Sequence, residues 1–115
     1  MAASGHAGDS GGGGAMRRAA RIDANQNTVV AYLRSLGMSV CILSPMGKGI
    51  PDLLVGWRGL NVLLELKDGS KPPSAQELTA DERDWHSKWA GQLHTVNSPE
   101  SAARAVIAEW ERRRE

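Results

Sequence analysis

The sequence has little of several features that would identify a class of protein at once. It contains one cysteine, Cys41, so an internal disulfide is excluded. Its three histidines, His6, His86 and His94, do not combine with that cysteine at the spacing of a structural zinc site. There is neither a run of about 18 apolar residues nor a charged-then-apolar start, the marks of a membrane span and a secretory signal. We therefore expect a soluble, cytoplasmic protein with no membrane partner.

An excess of charge of one sign is also lacking, since 14 basic residues stand against 13 acidic ones. A polyanionic partner would therefore have to be held by a local basic patch and not by the field of the whole molecule. Apolar residues make up 41% of the 115 residues, which suffices for one modest core. Length and composition together predict a single small domain.

Residues 1–15 are rich in glycine, alanine and serine, and their only charged side chain is that of Asp9. Such a segment has little to bury, so we expect a flexible leader that takes no part in the fold. The folded domain is expected to span residues 16–115.

A first helix is predicted after this leader. Asp23 and Gln26 have the spacing of a capping box, in which two side chains hydrogen-bond free amides at a helix start. Gly37 is of the residue type that commonly ends a helix. Between these signals the apolar side chains recur at helical spacing: Val29, Val30, Leu33 and Leu36.

Three strands are predicted next, from Met38 to Leu43, from Asp52 to Val55 and from Val62 to Lys67. The segment Gly56-Trp57-Arg58-Gly59 joins the second and third as a hairpin connection.

The rest of the chain predicts a helix, a strand and a last helix. Thr79 and Glu82 form a second capping box, and the helix that they open carries Trp85 and Trp89 on one face, interpreted as core. Leu93 to Val96 is predicted as a strand, and Ser98-Pro99 opens the last helix, whose Arg112 to Arg114 are interpreted as a solvated end. The order α-β-β-β-α-β-α predicts a mixed sheet, a hairpin with one parallel neighbour, and helices packed on it.

The candidate site lies at the open end of the hairpin. Glu65 and Lys67 alternate with apolar residues, so both charged groups lie on one face of the third strand. If the hairpin is symmetric about Arg58-Gly59, Asp52 lies directly opposite Glu65. Opposed carboxylates repel each other unless something neutralises them, and their oxygen atoms favour Mg²⁺ or Mn²⁺. Lys67 can then reach a water on the metal, an arrangement suited to phosphodiester hydrolysis. The alternative is that all three are ordinary solvated residues.

These residues resemble a known signature. Pro51-Asp52 followed by Glu65-Leu66-Lys67 is similar to the PD-(D/E)XK nuclease motif. The wider sequence resembles small, stand-alone VRR-Nuc domain proteins of phages and prophages in four segments: Asn25-Gln26, Gly47-Lys48-Gly49-Ile50-Pro51-Asp52-Leu53-Leu54-Val55-Gly56, Glu65-Leu66-Lys67-Asp68-Gly69, and Leu78-Thr79 with Trp85-His86.

The resemblance implies a restriction-endonuclease-like α/β fold, with an α-β-β-β-α-β core and a C-terminal helix. It implies a metal-dependent endonuclease that hydrolyses DNA phosphodiester bonds, including those of branched or junction DNA, in a bacterial or phage-infected cell. Mg²⁺ or Mn²⁺ would be held by Asp52, Glu65 and the carbonyl of Leu66, with Lys67 orienting or activating the attacking water. It also implies a homodimer.

The role of Gln26 stays open at this point. Many relatives add a glutamate from the first helix, and Gln26 stands near that place, but an amide is a weaker ligand than a carboxylate. The capping box offers a structural explanation for the same residue. The missing glutamate is also the reason for an alternative function, a catalytically inactive nuclease-fold protein that only binds nucleic acid.

Contacts with the DNA phosphates are predicted from the loop before Asp52. Gly47 and Gly49 would let the backbone approach a phosphate, and Lys48 would supply positive charge. An ordinary turn with an exposed lysine is the alternative. Lys71, beyond the third strand, is a weaker candidate for the same role, and His86 is placed near the site without a role as general base.

Overall fold

A mixed four-stranded sheet forms the centre of the molecule. The computed structural model describes residues 25–114. Strands β1 (Ser39–Ile42), β2 (Leu53–Trp57), β3 (Leu60–Leu66) and β4 (Leu93–Val96) lie side by side in that order. β1, β2 and β3 pair antiparallel, whereas β4 pairs parallel with β3. This confirms the predicted mixed sheet of a small α/β fold.

In the described part of the chain, three helices accompany the sheet. α1 covers residues 25–35 of the described chain, α2 is Ala80–Lys88 and α3 is Pro99–Arg114. Short 3₁₀ turns occupy Ser44–Met46 and Pro73–Gln76. The predicted element order is confirmed, with the ends of the first three strands shifted by one or two residues. The leader and the first capping box, with Asp23, lie outside the described residues. Within residues 25–114, no helix is long and apolar enough to cross a bilayer.

The β2–β3 hairpin closes through a two-residue turn. Arg58 and Gly59 have φ angles of 53° and 81°, the left-handed values of the turn type that matches the twist of a hairpin. Trp57 therefore pairs with Leu60, and Leu53 pairs with Leu64. The register predicted from symmetry about Arg58-Gly59 is confirmed, although Gly56 and Trp57 belong to β2 and not to the connection.

The hydrophobic core lies on one face of the sheet, where α1 and α3 pack. Leu36 was expected on the buried stripe of α1, but it follows the helix and is exposed. There Gly37, with φ of 88°, ends the helix, and the Met38 N–H returns to the Leu33 carbonyl at 3.2 Å. The buried core consists mainly of aliphatic side chains: Val29, Val30, Leu33, Met38, Leu53, Val55, Leu60, Val62, Leu64, Val96, Ala102, Ala103 and Val106.

α2 is packed differently, because none of its residues 80–88 is fully buried. The interpretation of Trp85 and Trp89 as core is wrong: Trp85 is half-buried and Trp89 is 47% exposed. Helical spacing does place the two rings together, stacked with centroids 4.9 Å apart. They are not core because α1 and α3 fill the core from the other face of the sheet.

The end of α3 is tied to its surroundings more closely than a solvated end would be. The Arg112 guanidinium lies 2.9 Å from the Glu109 carboxylate, which His94 also contacts at 2.6 Å. Arg113 donates a hydrogen bond to the Gly59 carbonyl at 3.2 Å. The arginines are exposed; Glu109 joins the last helix to β4 through His94, and Arg113 joins it to the hairpin turn.

Candidate active site

Asp52 and Glu65 face each other at the open end of the β2–β3 hairpin. Asp52 immediately precedes β2, and its carbonyl accepts the Leu43 N–H at 2.7 Å. The Leu66 N–H, in the neighbouring strand, donates to Oδ2 of Asp52 at 2.8 Å. Backbone groups on both sides therefore fix Asp52 beside Glu65, as the hairpin symmetry predicts.

The buried Glu65 carboxyl is the most strongly perturbed acid of the site. The side chain is almost completely enclosed, and this burial, followed by the negative charges of Asp52 and Glu82, raises its pKa to about 9. Burial also raises the pKa of Asp52, against the hydrogen bond from Leu66. The raised pKa favours the protonated form of Glu65, which can donate a hydrogen bond to the Asp52 carboxylate. A proton at this position partly neutralises the pair in the absence of a cation.

Lys67 lies beside these carboxyls and is held by Glu82. Its Nζ is 2.8 Å from Oε1 of Glu82 and 3.8 Å from Oε2 of Glu65. The same Oε1 accepts the Thr79 N–H at 2.9 Å, which completes the capping box of α2. Burial raises the pKa of Glu82, but the hydrogen bonds from Lys67 and Thr79 outweigh it, so the net change is downward. The capping box was predicted from the sequence, whereas the contact between Glu82 and Lys67 was missed.

His86 brings a further polar atom to Glu65. Its Nε2 lies 3.7 Å from Oε1 of Glu65, one helical turn beyond Glu82. Burial lowers the pKa of the imidazole, which favours its neutral form. Among the described residues, neither Nε2 of His86 nor Oε1 of Glu65 has a hydrogen-bond partner, although both atoms are buried. Buried polar atoms without partners are unfavourable, so a bound group that satisfied them would stabilise the site.

Gln26 is buried on α1 in the stripe that continues through Val29, Val30 and Leu33. Its Oε1 has no hydrogen-bond partner within residues 25–114. None of the described contacts joins this amide to Asp52 or Glu65, so the structure does not bring Gln26 into the group that these carboxyls form.

The loop from Gly47 to Gly49 has an unusual backbone. Gly47, Lys48 and Gly49 have φ angles of 65°, 58° and 82°, and Lys48 is a residue type that rarely adopts such values. A Cβ on Gly49 would clash with the backbone carbonyl of Asp81 in α2, which gives this glycine a structural reason independent of any phosphate. At Gly47 the corresponding space is open. The loop thus lies against the start of α2 at Gly49 and leaves the neighbouring Lys48 exposed.

Lys71 is exposed in the loop after β3. Its N–H donates to the Asp68 carbonyl at 3.1 Å, and its carbonyl accepts the Gln76 side chain at 2.7 Å. These contacts order the backbone of the loop, and no contact described for the chain joins the Lys71 side chain to Asp52, Glu65 or Lys67.

No protein-family model, curated protein or solved structure matches the chain. In the described part of the chain, no group of three or more His, Cys, Asp or Glu side chains is arranged to hold a metal ion. A cation at Asp52 and Glu65 would complete its shell with carbonyl and water oxygens, as Mg²⁺ commonly does.

The pKa of Glu65 leads to a prediction for the metal-free protein. Because the folded state binds this proton more tightly than the unfolded state, the contribution of Glu65 to stability is fully present below about pH 4.5 and is lost as the pH rises to about 9. In EDTA, we expect the melting temperature to fall by about 5 °C or more between pH 5 and pH 8. Glu65→Gln should flatten this dependence, and Glu77→Gln, at an exposed position, should preserve it. A profile that is the same in wild type and Glu65→Gln would show that Glu65 is not the titrating group.

Proposed function

We propose that this protein is a Mg²⁺- or Mn²⁺-dependent endonuclease of the PD-(D/E)XK class that hydrolyses DNA phosphodiester bonds. The observation that carries the proposal is the pair of enclosed carboxyls, Asp52 and Glu65, with Lys67 beside them. Bringing two acids together in a buried place is unfavourable for the fold alone. It becomes favourable when the site binds a cation.

The donor set fits Mg²⁺ or Mn²⁺. Carboxylate oxygens of Asp52 and Glu65 are hard ligands, and the carbonyl of Leu66 is a further oxygen donor. The buried Oε1 of Glu65, which has no hydrogen-bond partner among the described residues, would be a ligand for such an ion. When bound, the cation would act as a Lewis acid on the phosphodiester.

Each remaining residue has a role in this mechanism that follows from its contacts. Lys67 carries positive charge next to the carboxyls, where it orients the attacking water and stabilises negative charge that develops on the phosphate. Glu82 positions the Lys67 ammonium through the 2.8 Å contact. The neutral His86 packs against Glu65 and helps to exclude bulk water from it.

The proposed partner is DNA. Lys48, in the loop that lies against the start of α2, would contact one DNA phosphate. Lys71 would contact a second phosphate further along the same DNA strand. A chain of this size covers few phosphates, and the resemblance to VRR-Nuc proteins implies two active sites in a homodimer, so we propose that the chain acts as a dimer.

A second candidate function is a nuclease-fold protein that binds nucleic acid without cutting it. The observation in its favour is the amide of Gln26, where related nucleases have a carboxylate. The two functions differ in one outcome, the dependence of DNA cleavage on a divalent cation.

The proposed function is tested by incubating the purified protein with linear, flapped and four-way DNA in Mg²⁺, in Mn²⁺ or in EDTA. We expect internal cleavage of at least one substrate with either cation and none in EDTA. Binding of these DNAs without cleavage in any condition would favour the second function. Cleavage that persists in EDTA would contradict the metal-dependent mechanism.

Lys48→Ala tests the phosphate contact. Loss of one cation that touches the DNA backbone should weaken binding and lower the salt dependence of affinity by about one counterion. The cleavage defect should largely disappear at high enzyme concentration, because the catalytic residues are unchanged. Arg104→Ala, at an exposed position on α3, is the matched control for loss of positive charge and should leave affinity almost unchanged. Equal effects of the two substitutions would argue against a specific role for Lys48.

A further inference from the structure

Trp85 on α2 and Trp89, the residue that follows the helix, form an aromatic pair that packing does not explain. Their ring centroids are 4.9 Å apart and their planes are inclined by only 17°. Trp89 keeps 47% of its surface exposed, although burial of an indole is strongly favourable. The hydrophobic core lies on the opposite face of the sheet, so the pair contributes little to it.

The aromatic pair lies next to the carboxylate site. Residues 82, 85, 86 and 89 share one stripe of a helix because they are three or four positions apart. The Trp85 ring is 6.5 Å from the ring of His86, whose Nε2 lies 3.7 Å from Glu65. The stack therefore begins at the residue next to the side chain that contacts Glu65, so a DNA strand held at the carboxyls would pass close to it.

Gly91 helps to fix the exposed ring. A Cβ at this position would lie 2.9 Å from Nε1 of Trp89 and 3.5 Å from Cε2. The absence of a side chain allows the indole to lie against the backbone after α2. Together with the stacking of Trp85, this contact holds the ring in one orientation before anything binds, which lowers the entropy that binding loses.

We propose that the Trp85–Trp89 pair stacks on an unpaired base of the DNA strand that occupies the carboxylate site. The inference rests on the proposed function, and it names the substrate class as DNA with a single-stranded segment at the cleavage position. Every base has a flat aromatic face, so such a platform binds bases without sequence preference. A base inside a duplex is already stacked on both sides and does not present that face.

The exposed area favours a small planar occupant over a second copy of the chain. The accessible parts of the two indoles amount to on the order of 200 Å². A stable dimer interface buries about 800 Å² on each partner. The other large apolar side chains that are exposed in the described chain lie on or just after α1 and β1, and not on α2: Tyr32, Leu36, Ile42 and Met46.

The test compares binding of a short single-stranded oligonucleotide with binding of the blunt duplex of the same sequence, both in EDTA. Trp89→Ala should lower affinity for the single strand at least about fivefold and change duplex affinity by less than about twofold. Since no charge is removed, the salt dependence should not change. Trp89→Phe should restore most of the affinity. Gly91→Ala, which displaces the ring without removing it, should weaken single-strand binding in the same direction.

Ser87→Ala, at an exposed position of the same helix, is the control and should bind like wild type. Unchanged single-strand affinity in Trp89→Ala, or an equal loss on both DNAs, would overturn the inference. Dissociation of a dimer by Trp89→Ala in sedimentation velocity would assign the pair to a second copy instead. Because no divalent cation is present, a chain that never cuts DNA can still pass this test, so failure of the nuclease proposal is distinguishable from failure of this inference.

Discussion

Lys67→Ala is expected to reduce single-turnover DNA cleavage by about a hundredfold or more, the scale on which a positioned acid–base or electrostatic group acts. The Lys67 Nζ lies 3.8 Å from Glu65 and 2.8 Å from Glu82, so it sits where a phosphate bound at the carboxyls would react. As one cation among many phosphate contacts, it should add little to DNA affinity. Binding of DNA and of Mn²⁺ should therefore stay close to wild type.

Lys88→Ala is the matched control, because this lysine is exposed on α2 and pairs only with Asp84 among the contacts that the structure describes. It should cut at the wild-type rate. If Lys67→Ala cuts equally fast, the strand has been misassigned and the reacting phosphate lies elsewhere.

Asp52→Asn is expected to abolish measurable Mn²⁺ binding while the metal-free protein stays as stable as wild type or becomes slightly more stable. The substitution preserves size, and the asparagine oxygen can still accept the Leu66 N–H. It removes a negative charge from the immediate surroundings of Glu65, where charge is unfavourable without a cation. Calorimetric titration with Mn²⁺ and thermal unfolding in EDTA measure the two effects.

Asp84→Asn, at an exposed carboxylate of α2, is the control for a general loss of charge and should bind Mn²⁺ like wild type. Retained Mn²⁺ affinity in Asp52→Asn would place the ligands elsewhere. A large loss of stability of Asp52→Asn in EDTA would show that the main role of Asp52 is to stabilise the fold and not to bind a cation.

The hairpin at the site was predictable from the sequence because its information is local. Arg58-Gly59 fixes a two-residue turn, and the turn fixes every pair between Leu53 and Leu64. The facing position of Asp52 and Glu65 follows from that register. Alternation along β3 in turn places Lys67 on the face of Glu65.

The contacts of α2 with the sheet were not predictable in the same way. The spacing of Thr79 and Glu82 is fully explained by a capping box at the start of a helix. The sequence therefore contains no separate signal for the long-range contact of Glu82 with Lys67. Helical spacing likewise joined Trp85 to Trp89 but contained nothing about which surface would cover them. The surface that covers the two rings depends on where the loop after β3 places α2. The turn and proline residues of this loop do not indicate on which face of the sheet the helix lies.

The most direct test of a cation site at Asp52 and Glu65 is Mn²⁺ titration of the wild-type protein by calorimetry in buffers of different ionisation enthalpy. Because Glu65 holds a proton with a pKa of about 9, a cation that takes its place near pH 7.5 should release about one proton per Mn²⁺ bound. We expect one ion per carboxylate pair with this proton release, and neither in Asp52→Asn. Absence of Mn²⁺ binding, or binding without proton release that survives in Asp52→Asn, would contradict the assignment of this site.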